Sequence, residues 1–357
     1  MTHQPDLLYS ETEDDLRAAV RGLIADRAGA QELLGRIEGE SPYPPGLWDA
    51  LAGGIGAAGL LVPEKQGGQG ASHREAAVVL EELGRAVTPA PYLTSAVVAT
   101  GTLLALGDGQ GPAAELLAAL ASGGTVAVLA VPFATAPAAA GPVPAVADAA
   151  VADVLLVPRA DGLYAVAAAD AVISPQSSLD LTRPLALVDA SGAEGTRLAD
   201  AGTARAAVRR GLLEGAGLLA SEQLGIAEWC LEETVRHTRE RHQFNRPVGS
   251  FQALKHRMAQ LWLELVGARA AARAAADALA TGAADAELTV AVAQAYCSKV
   301  AVHAAEECVQ LHGGIGMTWE HPAHLALKRA KSAAIALGSA GRHQDVIAEL
   351  VGLPAPA

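Results

Sequence analysis

"RERHQFNRPVGSFQALKHRMAQL", Arg239 to Leu261, is the stretch on which the fold turns. A charged helix end runs into a turn at Pro247, and a new helix starts near Phe251, with Phe251, Leu254, Met258, Leu261 and Leu265 recurring at three and four as one stripe expected to be buried. The same residues suit a dinucleotide. Arg241 can grip phosphate oxygens with two parallel bonds, Phe244 and Phe251 offer aromatic surface, and Gln243 and Gln252 offer amide donors and acceptors. A plain helix–turn–helix junction with solvated charges explains them equally, and the residues alone leave both readings open.

Downstream stands "ECVQLHGGIGMTWEHPAHLALKRAK", Glu307 to Lys331. A helix from about Leu288 should stop at Gly313-Gly314, where glycine suits a C-terminal cap. Gln310 with Gly313 and Gly314 would also let backbone amides approach an anionic ligand, since glycine has no Cβ in the way. His312, His321 and His324 do not have the spacing of a helical histidine pair with a carboxylate partner, so no metal is expected. "LVPEKQGGQG", Leu61 to Gly70, lacks the Gly-Lys-Ser/Thr ending of a phosphate loop and reads as a connection between helices.

Composition narrows the rest. The chain is 51% hydrophobic but only 3% aromatic, and alanine-rich, which favours helix. A net charge of -13 argues against nucleic acid. Cys230, Cys297 and Cys308 have no metal spacing and read as buried thiols in a reducing compartment. The acidic N-terminus is no signal peptide. The uncharged run from Leu116 to Ala147 is interrupted by Pro132, Pro137, Pro142 and Pro144, so no membrane span is expected there. These features together predict a cytoplasmic protein.

Three regions follow: helical over 1–123, strands of a small antiparallel β-domain over 124–200, and a four-helix-type bundle over 201–357. In the first, acids open a helix at "ETEDDLRAAV", and Ser72 is the expected N-cap of another. In the second, "TVAVLAVPF", "VLLVPR", "LYAVAAADAVISP" and "RPLALVDAS" are short β-rich runs with no helix-length spacer. The fold class is α+β.

Taken together the motifs resemble the acyl-CoA dehydrogenase family over most of the chain. Arg241 through Gln252 is similar to that family's Arg-x-x-Phe-Gly…Phe-Gln signature, with Asn245 in place of glycine, and "QLHGGIG" to its Gln-x-x-Gly-Gly-x-Gly signature. The resemblance implies FAD held across a dimer contact, acyl-CoA as substrate, and tetramers built of dimers. It assigns Arg241, Gln243, Phe244, Phe251, Gln252, Gln310, Gly313 and Gly314 to the cofactor.

The resemblance also exposes what is missing. The family's general base stands either before a Gly-Thr pair, here Leu337 ahead of Gly338-Ser339, or on the first helix of the C-terminal region, here Gly215. The family's arginine after the second position is Ala216. Neither Leu337 nor Gly215 can take a proton. Glu214 is one residue away, but one helical step turns a side chain by about 100°. The Thr-Glu-Pro…Gly-Ser-Asp segment that lines the flavin in relatives is replaced by "VPFATAPAAAGPVPAVADAA". The donated half of the cofactor site is kept and the chain's own half eroded. This pattern resembles the non-catalytic subunit of the paired α2β2 enzymes of steroid-degrading actinobacteria, with the base on the catalytic partner. Two other readings stand beside it: a homo-oligomeric dehydrogenase using Glu214, and a non-enzymatic binding protein.

Overall fold

Helices begin where the sequence supplies caps. A computed structural model of the chain describes residues 4–39, 41–107, 110–134 and 141–354. In α1 (Glu11–Arg27) Ser10 and Glu13 form a reciprocal capping box. α2 (Ala30–Arg36) and the short α3 (Leu47–Asp49) follow, then α4 (His73–Arg85), capped by Ser72 and Glu75 in the same way. A π-helical stretch, Tyr92–Ala99, leads into α5 (Thr100–Leu104), and α6 (Gly111–Ala121) carries Pro112 in its first turn.

The strand region holds two sheets. β1 (Ala127–Leu129), β3 (Val154–Arg159), β4 (Gly162–Ala167) and β7 (Thr196–Asp200) form one, in the order β1-β3-β4-β7. β2 (Val143–Ala147), β5 (Val172–Gln176) and β6 (Leu185–Asp189) form the other, in the order β2-β6-β5. All pairs are antiparallel except β1 with β3, which run parallel. Alternate residues of the first sheet face opposite cores. Ala127, Leu129, Leu156 and Leu163 pack towards α5 and α6, while Val128, Leu155 and Val166 meet Val146, Ala186 and Val188 of the second sheet.

The C-terminal helices are long: α7 (Ala201–Glu240), α8 (Gln252–Thr281), α9 (Ala286–His312), α10 (Ala323–Ala333) and α11 (Ala340–Leu350). Asp200 caps α7 by accepting from the Gly202 and Thr203 amides. A hairpin of β8 (His242–Gln243) and β9 (Arg246–Pro247) joins α7 to α8. Glycines let α7 lie flush on the N-terminal helices: a Cβ on Gly225 would sit 1.9 Å from the Glu81 carbonyl, and one on Gly211 2.1 Å from Thr102 Oγ1.

The stripe expected along α8 is buried only in part. Leu261 and Leu265 are buried, but Phe251, Leu254 and Met258 are half-buried. All three cysteines are free and buried. Among the described residues, no helix is long and apolar enough to cross a membrane. Pro137 and part of the stretch replacing Thr-Glu-Pro fall in 135–140, outside the described residues.

Candidate functional site

Two surfaces hold the residues singled out from sequence. The first surrounds Leu337. This residue has φ 54, a left-handed backbone rare for leucine, and precedes Gly338 at φ 108. The turn is pinned on both sides. The Leu337 amide donates to the Phe133 carbonyl at 2.7 Å, and His343 Nε2 lies 3.1 Å from the Leu337 carbonyl. Gly215 faces the same point from α7. A Cβ placed there would lie 3.1 Å from Leu337 Cδ1 and 2.5 Å from Val98 Cγ2. The two positions, far apart in sequence, converge on one spot, and that spot carries a leucine side chain and no carboxylate.

Glu214 points elsewhere. Its carboxylate accepts from Arg210 Nε at 2.5 Å and lies 3.4 Å from His73 Nε2. Its other oxygen, buried and without a hydrogen-bond partner, lies against Gly101 of α5, where a Cβ would come within 2.0 Å of it. Beside Leu337, between α7, α9 and α11, opens a cleft of about 480 Å³ lined by Leu213, Leu337 and Val346, by Arg209, Arg210 and Arg342, and by Glu287 and His343. The three arginines were not among the residues singled out from sequence. Arg209 and Arg210 follow one another on α7, a cationic pair that sequence reasoning could have flagged.

The second surface lies at the end of the bundle where α7 and α9 finish. The hairpin after α7 turns at Phe244 (φ 54) and Asn245 (φ 59), and two consecutive positive φ values make a type I′ turn. Asparagine tolerates that conformation, which explains how it replaces the usual glycine. Val248 donates back to the Arg241 carbonyl at 2.8 Å. Phe244 stands 85% exposed, meeting Phe251 edge-on with ring centroids 6.0 Å apart, and Arg246 caps the Phe251 ring at 3.9 Å. Arg241, Gln243 and Gln252 are exposed.

His237 of α7 stacks on His312 of α9 at 4.3 Å, bringing this hairpin to the same end of the bundle as Gln310, Gly313 and Gly314. Those three are exposed, Gly313 takes φ 63, and a Cβ on either glycine would meet nothing within 4 Å. A guanidinium with no ion pair among the described residues, two aromatic rings, amide side chains and an open glycine turn are chemically suited to the phosphate and adenosine portion of a dinucleotide.

Of the three histidines, His312 and His321 are neighbours, with ring centroids 4.4 Å apart. His324 turns instead to Trp319. Burial, together with the charges of His312 and His321, lowers the His237 imidazole below its ordinary value.

Comparisons with known proteins agree with this layout. The descriptions "Acyl-CoA dehydrogenase, N-terminal domain" and "Acyl-CoA dehydrogenase, C-terminal domain" match residues 10–124 and 202–352. Acyl-CoA dehydrogenase IpdE2 of Mycolicibacterium smegmatis is 38% identical over 333 residues, spanning 92% of this chain and 95% of its own. The ChsE4-ChsE5 complex from Mycobacterium tuberculosis matches with a TM-score of 0.86 at 26% identity, over 99% of this chain and 100% of that one. The Tcur3481-Tcur3483 steroid ACAD G363A variant matches with 0.84 at 27% identity, over 96% and 98%. The chain belongs to the acyl-CoA dehydrogenase family of FAD-dependent oxidoreductases.

Proposed function

We propose that this chain is the subunit of a heteromeric acyl-CoA dehydrogenase that lacks a general base and completes the FAD site of a catalytic partner. The observation that carries the reading is the meeting of Gly215 and Leu337: both places where the family puts a carboxylate converge, and the side chains there are apolar or absent. A general base contributes typically about 10²–10⁴ in rate, and an α-proton of a thioester is too weakly acidic to dispense with one. The outward face of Arg241, Gln243, Phe244, Phe251, Gln252, Gln310, Gly313 and Gly314 would hold the phosphate and adenosine end of an FAD whose ring lies on the partner. When bound, FAD supplies the acceptor for the electrons leaving the thioester. This chain's part is to grip the cofactor and exclude water. Likeness to a ChsE4-ChsE5 complex and to a steroid ACAD supports a two-chain α2β2 assembly and a steroid-derived CoA thioester as substrate. We place the chain's divisions at 1–123, 124–200 and 201–357, in the cytoplasm.

The visible spectrum of the purified chain, alone and co-purified with a complete family partner, tests this. The expected result is a colourless chain alone and about one flavin per heterodimer with the partner. A yellow chain bleached by acyl-CoA without a partner overturns it. The buried, unpartnered oxygen of Glu214 gives the self-sufficient reading its one support, and Glu214→Gln would then abolish bleaching if Glu214 is the base.

A further inference from the structure

Near the turn that carries Gly313 and Gly314, three side chains converge from two distant parts of the chain. His312, on the last turn of α9, has no exposed side-chain surface, and His321 follows the glycine turn. Glu233 comes from α7. Glu233 Oε1 lies 3.7 Å from His312 Nε2 and 3.5 Å from His321 Nε2, and the three ligand atoms fall within 4.8 Å of one another. Zinc–ligand bonds of about 2.0–2.2 Å set tetrahedral ligand-to-ligand separations of about 3.3–3.6 Å. Two of the three edges are already near that value, and a small rotation of one imidazole closes the third.

The protonation pattern of His312 favours a cation. Its Nδ1 is 2.6 Å from the Cys308 carbonyl, which can only accept, so Nδ1 carries the hydrogen and Nε2 presents a lone pair. That nitrogen is buried and has no hydrogen-bond partner, and its lone pair is available only in the neutral ring, so a metal must displace the proton that Cys308 and Glu233 favour on His312. A backbone carbonyl fixing the far nitrogen of a buried imidazole is the usual support of a metal-bound histidine.

From this geometry we propose that Glu233, His312 and His321 form a binding site for a divalent transition-metal cation of the zinc type, with water as its fourth ligand. The cation ties the last turns of α7 and α9 to the segment after Gly314, directly beneath the surface carrying Arg241 and Gln310. Arg236, which also bonds Glu233, is 57% exposed and already pairs with Glu240 at 2.9 Å, so it can turn outward. His321 gives up its 3.2 Å contact from the Ala323 amide to Nδ1, moves its own proton to that nitrogen and frees Nε2 for the metal. Nothing in the linear spacing of the histidines shows this site, because its carboxylate is supplied by another helix.

The test is calorimetric titration of the chelator-treated chain with Zn²⁺, repeated with Co²⁺ while its visible absorption is followed. The expected result is about one ion per chain with a tetrahedral Co²⁺ spectrum. His321→Ala and Glu233→Gln, both at part-exposed residues that spare the packing of His312, are expected to weaken binding at least about tenfold. His303→Ala, a surface control beside Glu264, leaves it unchanged. Absence of binding, or binding that survives both His321→Ala and Glu233→Gln in chains with native circular dichroism, overturns the proposal. Neither readout depends on a partner or on flavin, so failure here is separable from failure of the proposed function.

Discussion

Glu222 lies 1% exposed between two guanidiniums, Arg329 Nε at 2.8 Å and an Arg183 terminal nitrogen at 2.6 Å. Burial alone would raise its carboxyl, but Arg183 and Arg329 together hold it below the ordinary range. With the folded value below an unfolded value of about 4.3, the stability it contributes is complete above that range. It is lost as pH falls through the folded value. Glu222→Gln should cost about 3–5 kcal/mol at neutral pH, since it removes the carboxylate two buried cations share and leaves Arg329 only Asp180 as a charged partner. It should also flatten the fall of stability on acidification, and urea unfolding at neutral and acidic pH measures both effects. Arg183 and Arg329 sit among unremarkable neighbours in sequence, and no local pattern announces that they meet. Leu337 is different. Its mismatch with the family pattern was legible at once, whereas its contact with Gly215 required the fold.

At the scale of elements, the hairpin between α7 and α8 makes a sharp test. Asn245→Val puts a β-branched residue at φ 59, at a cost of about 1–2 kcal/mol. Hydrogen exchange of the Val248 amide, which bonds the Arg241 carbonyl, should quicken by about tenfold. Asn245→Gly should leave it near wild type. Caps and breaks were readable: Ser72 opens α4, and α9 stops at Gly313. α7 starts at Ala201 because Asp200 caps it. β2 was harder, since Pro144 and small residues obscure it. It is an edge strand, where proline is tolerated. The front of α8 misled the stripe reading because apolar periodicity marks a face needing cover, not the chain that covers it.

For the whole molecule, the order of helices, strands and helices was legible from changes of period, and the parallel pairing of β1 with β3 was not. A single copy leaves Phe244, Trp262, Leu263, Met317 and Trp319 exposed. Arg241→Ala should change the stability of the isolated chain by less than about 0.5 kcal/mol, since Arg241 is exposed. It should lower the flavin retained by the co-purified pair, read as absorbance per protein, and unchanged flavin would refute the donated-half reading. The junction at Gly215 also bears on how such a chain can change over time. A side chain introduced on α7 collides with Val98 unless the neighbouring helix moves, and the leucine opposite already fills the facing space. Reinstating an acid at Gly215 therefore demands compensating changes in the packing around it. Under the function proposed above, loss of the carboxylate from α7 acts as a ratchet, and descendants of the chain inherit dependence on a second gene product.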